Sequence, residues 1–245
     1  MSLAGTFLII SILYMSMSYY FYLWAKKYNK IGQIMKLWPL GFFFICCSVL
    51  FSELYILSTV PLQTNLEYFF SFFVVFDCFY TDKQKIKEET RDAKEQERGL
   101  GSILRMNVFQ LVVAAPILSI HFMPGASWIT LADLFGFALA LVGIYIQYIS
   151  NMELLKNEKD ILICNGKLRS FCRYPNALGE VIFWLSIYML AIGSVNGYMS
   201  IYGPLVLIII LLKIVLPKED TRLENKYNQF KDYKSSSWML FPKLK

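Results

Sequence analysis

Residues 131–152 read LADLFGFALALVGIYIQYISNM, and this stretch decides the fold. It contains one acid, Asp133, and no base. Its length meets the roughly 20 apolar residues that a helix needs to cross a hydrocarbon core about 30 Å thick. Five more runs share that character: 4–25, 38–59, 106–123, 179–196 and 200–217. A further run, 61–80, is interrupted by Gln63, Asn65 and Glu67, although Tyr68 to Tyr80 is almost wholly apolar. Counting it predicts an all-α fold, an integral membrane bundle of about seven transmembrane helices.

Charge tests that count. The 245 residues are 56% hydrophobic and 17% aromatic, more apolar surface than one soluble core hides. The net charge of +6 does not point to nucleic acid, because the bases sit in short blocks between apolar runs. With the N-terminus outside, the cytoplasmic segments are about 26–37, 81–105, 153–178 and 213–245. Together they hold all 24 Lys and Arg, and the outer turns hold none. Cytoplasmic loops concentrate basic residues, so the C-terminus is placed in the cytoplasm. Without the 61–80 span, later basic loops would fall outside. The outer turns carry the breakers Pro124-Gly125 and Asn196-Gly197.

The basic residues Lys26 and Lys27 follow the first apolar run, which reads as a retained span. Cys46, Cys47 and Cys78 lie in apolar runs; Cys164 and Cys172 lie in a predicted cytoplasmic loop, where thiols stay reduced. No CxxC spacing occurs, and His121 is the single histidine, so no metal is expected. The mixed charges of 81–105 suit a solvated surface helix.

Polar chemistry concentrates in Arg169–Trp184, RSFCRYPNALGEVIFW. Pro175 is comfortable near a helix start, where the N–H it lacks would be unpaired anyway, and Asn176 is the predicted cap. Two readings stay open here. One is a helix start with arginines anchored to lipid phosphates. The other is an anion site built from a positive helix end and two arginines. Glu180 favours the second, since a carboxylate just inside a span needs a partner or a polar cavity. Gln147 and Asn151 share a face of the preceding span by their i, i+4 spacing, with Tyr148 beside them. Those amides suit a ligand's ribose or amide, and equally suit interhelical hydrogen bonds. In the tail, Leu223, Tyr227, Phe230 and Tyr233 predict a short amphipathic helix on the membrane face, with Trp238 as interfacial anchor.

Arg173 to Trp184 resembles the R-H-P-N-Y-x-G-E-x-x-x-W signature of the steroid 5-alpha-reductase-like membrane family. The tail is similar to that family's ending, with Pro217, Glu219-Asp220, Arg222, Tyr233 and a serine-rich stretch closing at Pro242. Weaker echoes are Glu88–Arg91 and Phe109-Gln110 to Pro116. The resemblance runs from about Glu88 to the C-terminus. It implies a seven-helix reductase that takes hydride from NADPH to a C=C bond of a sterol- or enone-like lipid. It divides the single domain into a divergent part, 1–80, a cytoplasmic loop, 81–105, and a reductase-like part, 106–245, ending in the tail from 218. Carried over, Asn176, Glu180 and Trp184 line the cofactor pocket. Gln147 and Asn151 contact the nucleotide, Arg173 and Arg222 face its phosphates, and Tyr233 sits in the closing tail. The family's His is Tyr174 here, and its Tyr is Ala177. The first third shows no matching acid; Glu53 and Tyr55 are the candidates for polarising the substrate.

A second class shares this architecture. Membrane methyltransferases of isoprenylcysteine or phospholipid headgroups have an R-H-P-x-Y-x-G motif followed by E-E-x-x-L, which Glu219–Leu223 approaches. Their cofactor is S-adenosylmethionine. A non-catalytic, lipid-binding relative is the third class. All three place the site at the cytoplasmic face of a bilayer, with an apolar small molecule as partner.

Overall fold

The computed structural model describes residues 3–28, 40–48, 100–122, 129–156, 167–227 and 230–240. These are helical almost throughout, and none of the described residues forms a strand. The helices are α1 (Leu3–Lys27), α2 (Leu100–Val113), α3 (Ala115–Phe122), α4 (Leu131–Lys156), α5 (Lys167–Phe171), α6 (Pro175–Ala191), α7 (Tyr202–Ile210), α8 (Leu216–Lys226) and α9 (Phe230–Ser236). Residues 40–48 are helical as well. Among the described residues, two helices are long and apolar enough to cross a membrane, Leu131–Glu153 and Gly197–Asn225. Their outward faces are apolar: Leu131, Phe135, Tyr145 and Ile209 are all more than half exposed. The run 61–80 lies outside the described residues.

Local chemistry sets the boundaries. Thr130 and Asp133 cap α4 reciprocally. The Thr130 backbone N–H donates to Asp133 Oδ2 at 2.7 Å, and the Asp133 N–H donates to Thr130 Oγ1 at 3.3 Å. The predicted span 106–123 is broken into α2 and α3 at Ala114. Pro116 has no N–H for the preceding turn, so the ladder is interrupted there. Gly203 uses the opening: a Cβ on it would stand 2.9 Å from the Val113 carbonyl and 3.1 Å from Pro116 Cδ. The predicted 200–217 span starts earlier and runs on further. It passes through a π-helical turn at Leu211–Val215, just before Pro217, and carries the chain to Lys226 as α8. The predicted breaker at Asn196-Gly197 is a tight turn. Asn196 is left-handed, at φ 57°, and a Cβ on Gly197 would lie 1.6 Å from the Ala191 carbonyl oxygen.

The central packing is α4 against α6, antiparallel. Gly136, Ala140 and Gly143 form a small-residue stripe that lets the backbones meet. A Cβ on Gly143 would lie 2.9 Å from the Gly179 carbonyl oxygen and 2.9 Å from the Phe183 nitrogen. Trp184, Phe183, Ile187 and Leu190 of α6 continue the core toward α3 and α7.

Candidate functional site

The residues singled out on α4 and α6 meet at one end of this helix pair. A Cβ on Gly179 would lie 2.7 Å from Gln147 Cγ, so Gln147 packs against the signature helix. Asn151 is one turn further along α4 and is 6% exposed. The antiparallel register sets it opposite the start of α6. On α6 itself, Asn176, Glu180 and Trp184 recur every fourth residue and form one stripe. Asn176 and Glu180 are half-buried. Trp184 is buried and meets the Phe42 ring at 4.5 Å between centroids.

Asn176 does not cap the helix, contrary to expectation. Tyr174 is the N-cap, Pro175 is first in the helix, and no side chain caps its N–H groups. Pro175 fits because its φ is preset and the N–H it lacks would be unpaired in any case. The expected pattern misses this because Pro175 shifts the start by two residues.

Arg173 and Asp220 form a buried ion pair in the region. Arg173 is buried, and its Nη1 donates to Asp220 Oδ2 at 2.6 Å. Its Nη2 donates to the carbonyls of Lys234 and Ser237, each at 2.8 Å, and its Nε to Ser237 Oγ at 3.2 Å. Its Cζ lies 5.9 Å from the Phe230 ring centroid. Main-chain bonds run alongside, from Arg173 N–H to the Trp238 carbonyl at 2.8 Å and from Tyr174 N–H to the Met239 carbonyl at 3.2 Å. The guanidinium thus fastens the C-terminal tail to the signature loop. Tyr174, where the family pattern has His, donates its hydroxyl to Asp220 Oδ1 at 2.6 Å. Burial, then the bond to Asp220, raises the Tyr174 pKa beyond the ordinary tyrosine range, so it remains a donor. Lys234 closes the cluster with Glu224 at 2.6 Å and Asp220 at 3.8 Å.

Tyr233 donates to the Arg169 carbonyl at 2.9 Å, a second fastening of the tail. The tail is not one amphipathic helix as expected. Tyr227 is extended, at φ −138° and ψ 115°, and separates α8 from α9, so Phe230 turns inward beneath Arg173. Trp238 is largely exposed. Arg222 is half-exposed and paired with Glu219 at 2.6 Å. Glu53 and Tyr55 lie outside the described residues.

Sequence reasoning did not single out Asp220, Tyr174 or Ser237 as a cluster; it paired Arg169 with Arg173 as the two arginines of an anion site, and the structure gives them different surroundings. Among the described residues, the Arg169 Nε is buried without a hydrogen-bond partner.

Cys172, between the two fastenings, is 3% exposed. Burial pushes its thiol up to about 11. It should therefore resist alkylation by iodoacetamide at neutral pH in the folded protein and react once the protein is denatured. The native state holds this proton more tightly than the unfolded chain. Its contribution to stability is present below the ordinary thiol range and is lost as pH rises toward 11.

A family model described as a protein of unknown function, DUF1295, matches residues 82–237. No curated protein and no solved structure matches the chain.

Proposed function

Because the chain belongs to the DUF1295 family, one associated with steroid 5-alpha-reductase-like proteins, we propose that it is an NADPH-dependent membrane reductase. It saturates a C=C bond in a hydrophobic, sterol- or enone-like lipid. We also propose the finer topology: seven spans, N-terminus outside, with the Arg173–Asp220 cluster at the cytoplasmic face.

One observation carries the reading. The stripe Asn176–Glu180–Trp184 leads from a polar helix end, flanked by Gln147 and Asn151, into the apolar core at Phe42. In this reading a water-soluble cofactor approaches that polar helix end from the cytoplasm, and an apolar substrate reaches it from the lipid.

The residues fit a dinucleotide phosphate. The α6 N-terminus has no side-chain cap and favours an anion. Arg169 offers a buried donor that the described residues leave without a partner. Arg222 stands on α8 with its charge shared with Glu219. The amides of Gln147, Asn151 and Asn176 suit ribose hydroxyls and the carboxamide, and Glu180 accepts from a hydroxyl or amide N–H. When bound, NADPH supplies the hydride. Arg173, Asp220 and Tyr233 hold the tail down beside it and keep water out, which strengthens every polar contact within. Trp184 and Phe42 form the apolar floor.

Asn176→Ala and Glu180→Gln should each weaken NADPH binding about tenfold or more, the worth of about 1.4 kcal/mol of lost hydrogen bonding. Titration of purified protein by NADPH fluorescence reads this, with insertion and folded yield unchanged. Wild-type affinity in both variants would remove the site assignment. Binding of S-adenosylmethionine in place of NADPH would instead support the methyltransferase class.

A further inference from the structure

A second polar cluster lies apart from the signature, between α1 and α2. The Tyr14 hydroxyl donates to Gln110 Oε1, and both side chains are fully buried. Ala25 and Ile103 pack together further along, so the two helices run antiparallel. That register sets Ser18, one turn after Tyr14, opposite Asn107, one turn before Gln110. Both are 0% exposed. Among the described residues, neither Asn107 Nδ2 nor Asn107 Oδ1 has a hydrogen-bond partner. Tyr14 stands near the middle of the apolar run 4–25, where water is scarce. An unpaired amide there costs several kcal/mol unless another group meets it.

The cluster is joined to the signature helix by two consecutive residues. Gly41 lies against the Tyr14–Gln110 pair, where an added Cβ would come 2.6 Å from Gln110 Nε2. Its neighbour Phe42 packs its ring against Trp184 at a tilt of 55°. The groups at the cluster, Ser18, Tyr14, Asn107 and Gln110, are all uncharged. A charged ligand would find no compensation there, whereas a neutral oxygen would pair with the amide.

We propose that Asn107, with Tyr14 and Ser18 beside it, binds the carbonyl oxygen of an apolar lipid ligand. The ligand's hydrocarbon body lies toward Phe42 and Trp184. This rests on the reductase reading, since it makes that carbonyl the polar end of the substrate. Asn107 Nδ2 donates to the ligand carbonyl. Gly41 keeps the approach narrow.

The test uses the full chain in lipid nanodiscs, with a radiolabelled steroid enone and the oxygen-free hydrocarbon of the same skeleton. Wild type should bind the enone at least tenfold more tightly than the hydrocarbon. Asn107→Leu should lose that preference, keep its NADPH response, and melt no lower than wild type without ligand. Leucine removes an unsatisfied amide at similar volume, so a folding defect is not expected. Val108→Ala, on the exposed side of α2, should behave as wild type. Unchanged enone preference in Asn107→Leu overturns the proposal, and so does a marked loss of melting temperature, which would reveal a structural partner for the amide. If NADPH fails to bind wild type while Asn107→Leu still loses the enone, this site stands and the reductase assignment falls.

Discussion

Asp220→Ala is expected to release the C-terminal tail and to destabilise the protein by about 3–5 kcal/mol. The side chains of Arg173 and Asp220 are 6% and 3% exposed, so removing the carboxylate strands a guanidinium away from water. Tyr174 loses its acceptor in the same step. The remaining donors of Arg173 reach only backbone carbonyls and a serine of the tail, none of which carries a charge. Limited trypsin digestion should then cut at Lys231 or Lys234 at a rate far above wild type. Cys172 should become open to alkylation, because the tail that covers it through Trp238 has lifted. Replacing both partners, as in Arg173→Met with Asp220→Leu, should be less harmful than either single change, because no lone charge is left buried. A tail that remains protease-resistant in Asp220→Ala would show that the main-chain bonds to Trp238 and Met239 suffice without the ion pair.

Gly179→Ala carries the second large effect. Its Cβ would lie 2.7 Å from the Gly143 carbonyl oxygen and 3.0 Å from the Gln147 nitrogen. Both are backbone atoms of α4, and neither can swing aside. The helices must part, at an expected cost of about 1–3 kcal/mol. Gln147 moves with α4, so NADPH affinity should fall together with melting temperature. Gly101→Ala is the control. It lies in α2 with open space around its Cβ, and there alanine should be neutral or stabilising by up to about 1 kcal/mol. Equal melting temperatures for wild type and Gly179→Ala would mean that the α4–α6 contact is looser than these distances describe.

How far sequence reaches can be judged residue by residue. The α4 helix was legible because an apolar run of that length between Thr130 and the charged residues that follow it has few other solutions. Pro175 signalled a helix start nearby, although the predicted cap at Asn176 put it two residues too late. Gln147 and Asn151 were legible as a pair because helical periodicity puts them on one face. Arg173 with Asp220 was not, since the partners are 47 residues apart in sequence. A basic residue near a helix start looks the same whether it meets a phosphate or a buried carboxylate. Only the fold of α8 and α9 around Tyr227 decides. The polar pair Tyr14–Gln110 was hidden for the same reason, being separated by 96 positions. Pro116 was visible, but its consequence, a break that admits Gly203, depends on which helix packs there.

The most direct measurement of the central claim is the melting temperature of the purified full-length protein with NADPH, NADH and S-adenosylmethionine. A ligand bound to the folded state stabilises it by about 2.7 kcal/mol at a hundredfold excess over its dissociation constant. The reductase account predicts a saturable rise with NADPH that is lost in Asn176→Ala and absent with S-adenosylmethionine. A rise with S-adenosylmethionine alone, or no rise with any of the three ligands, would contradict it.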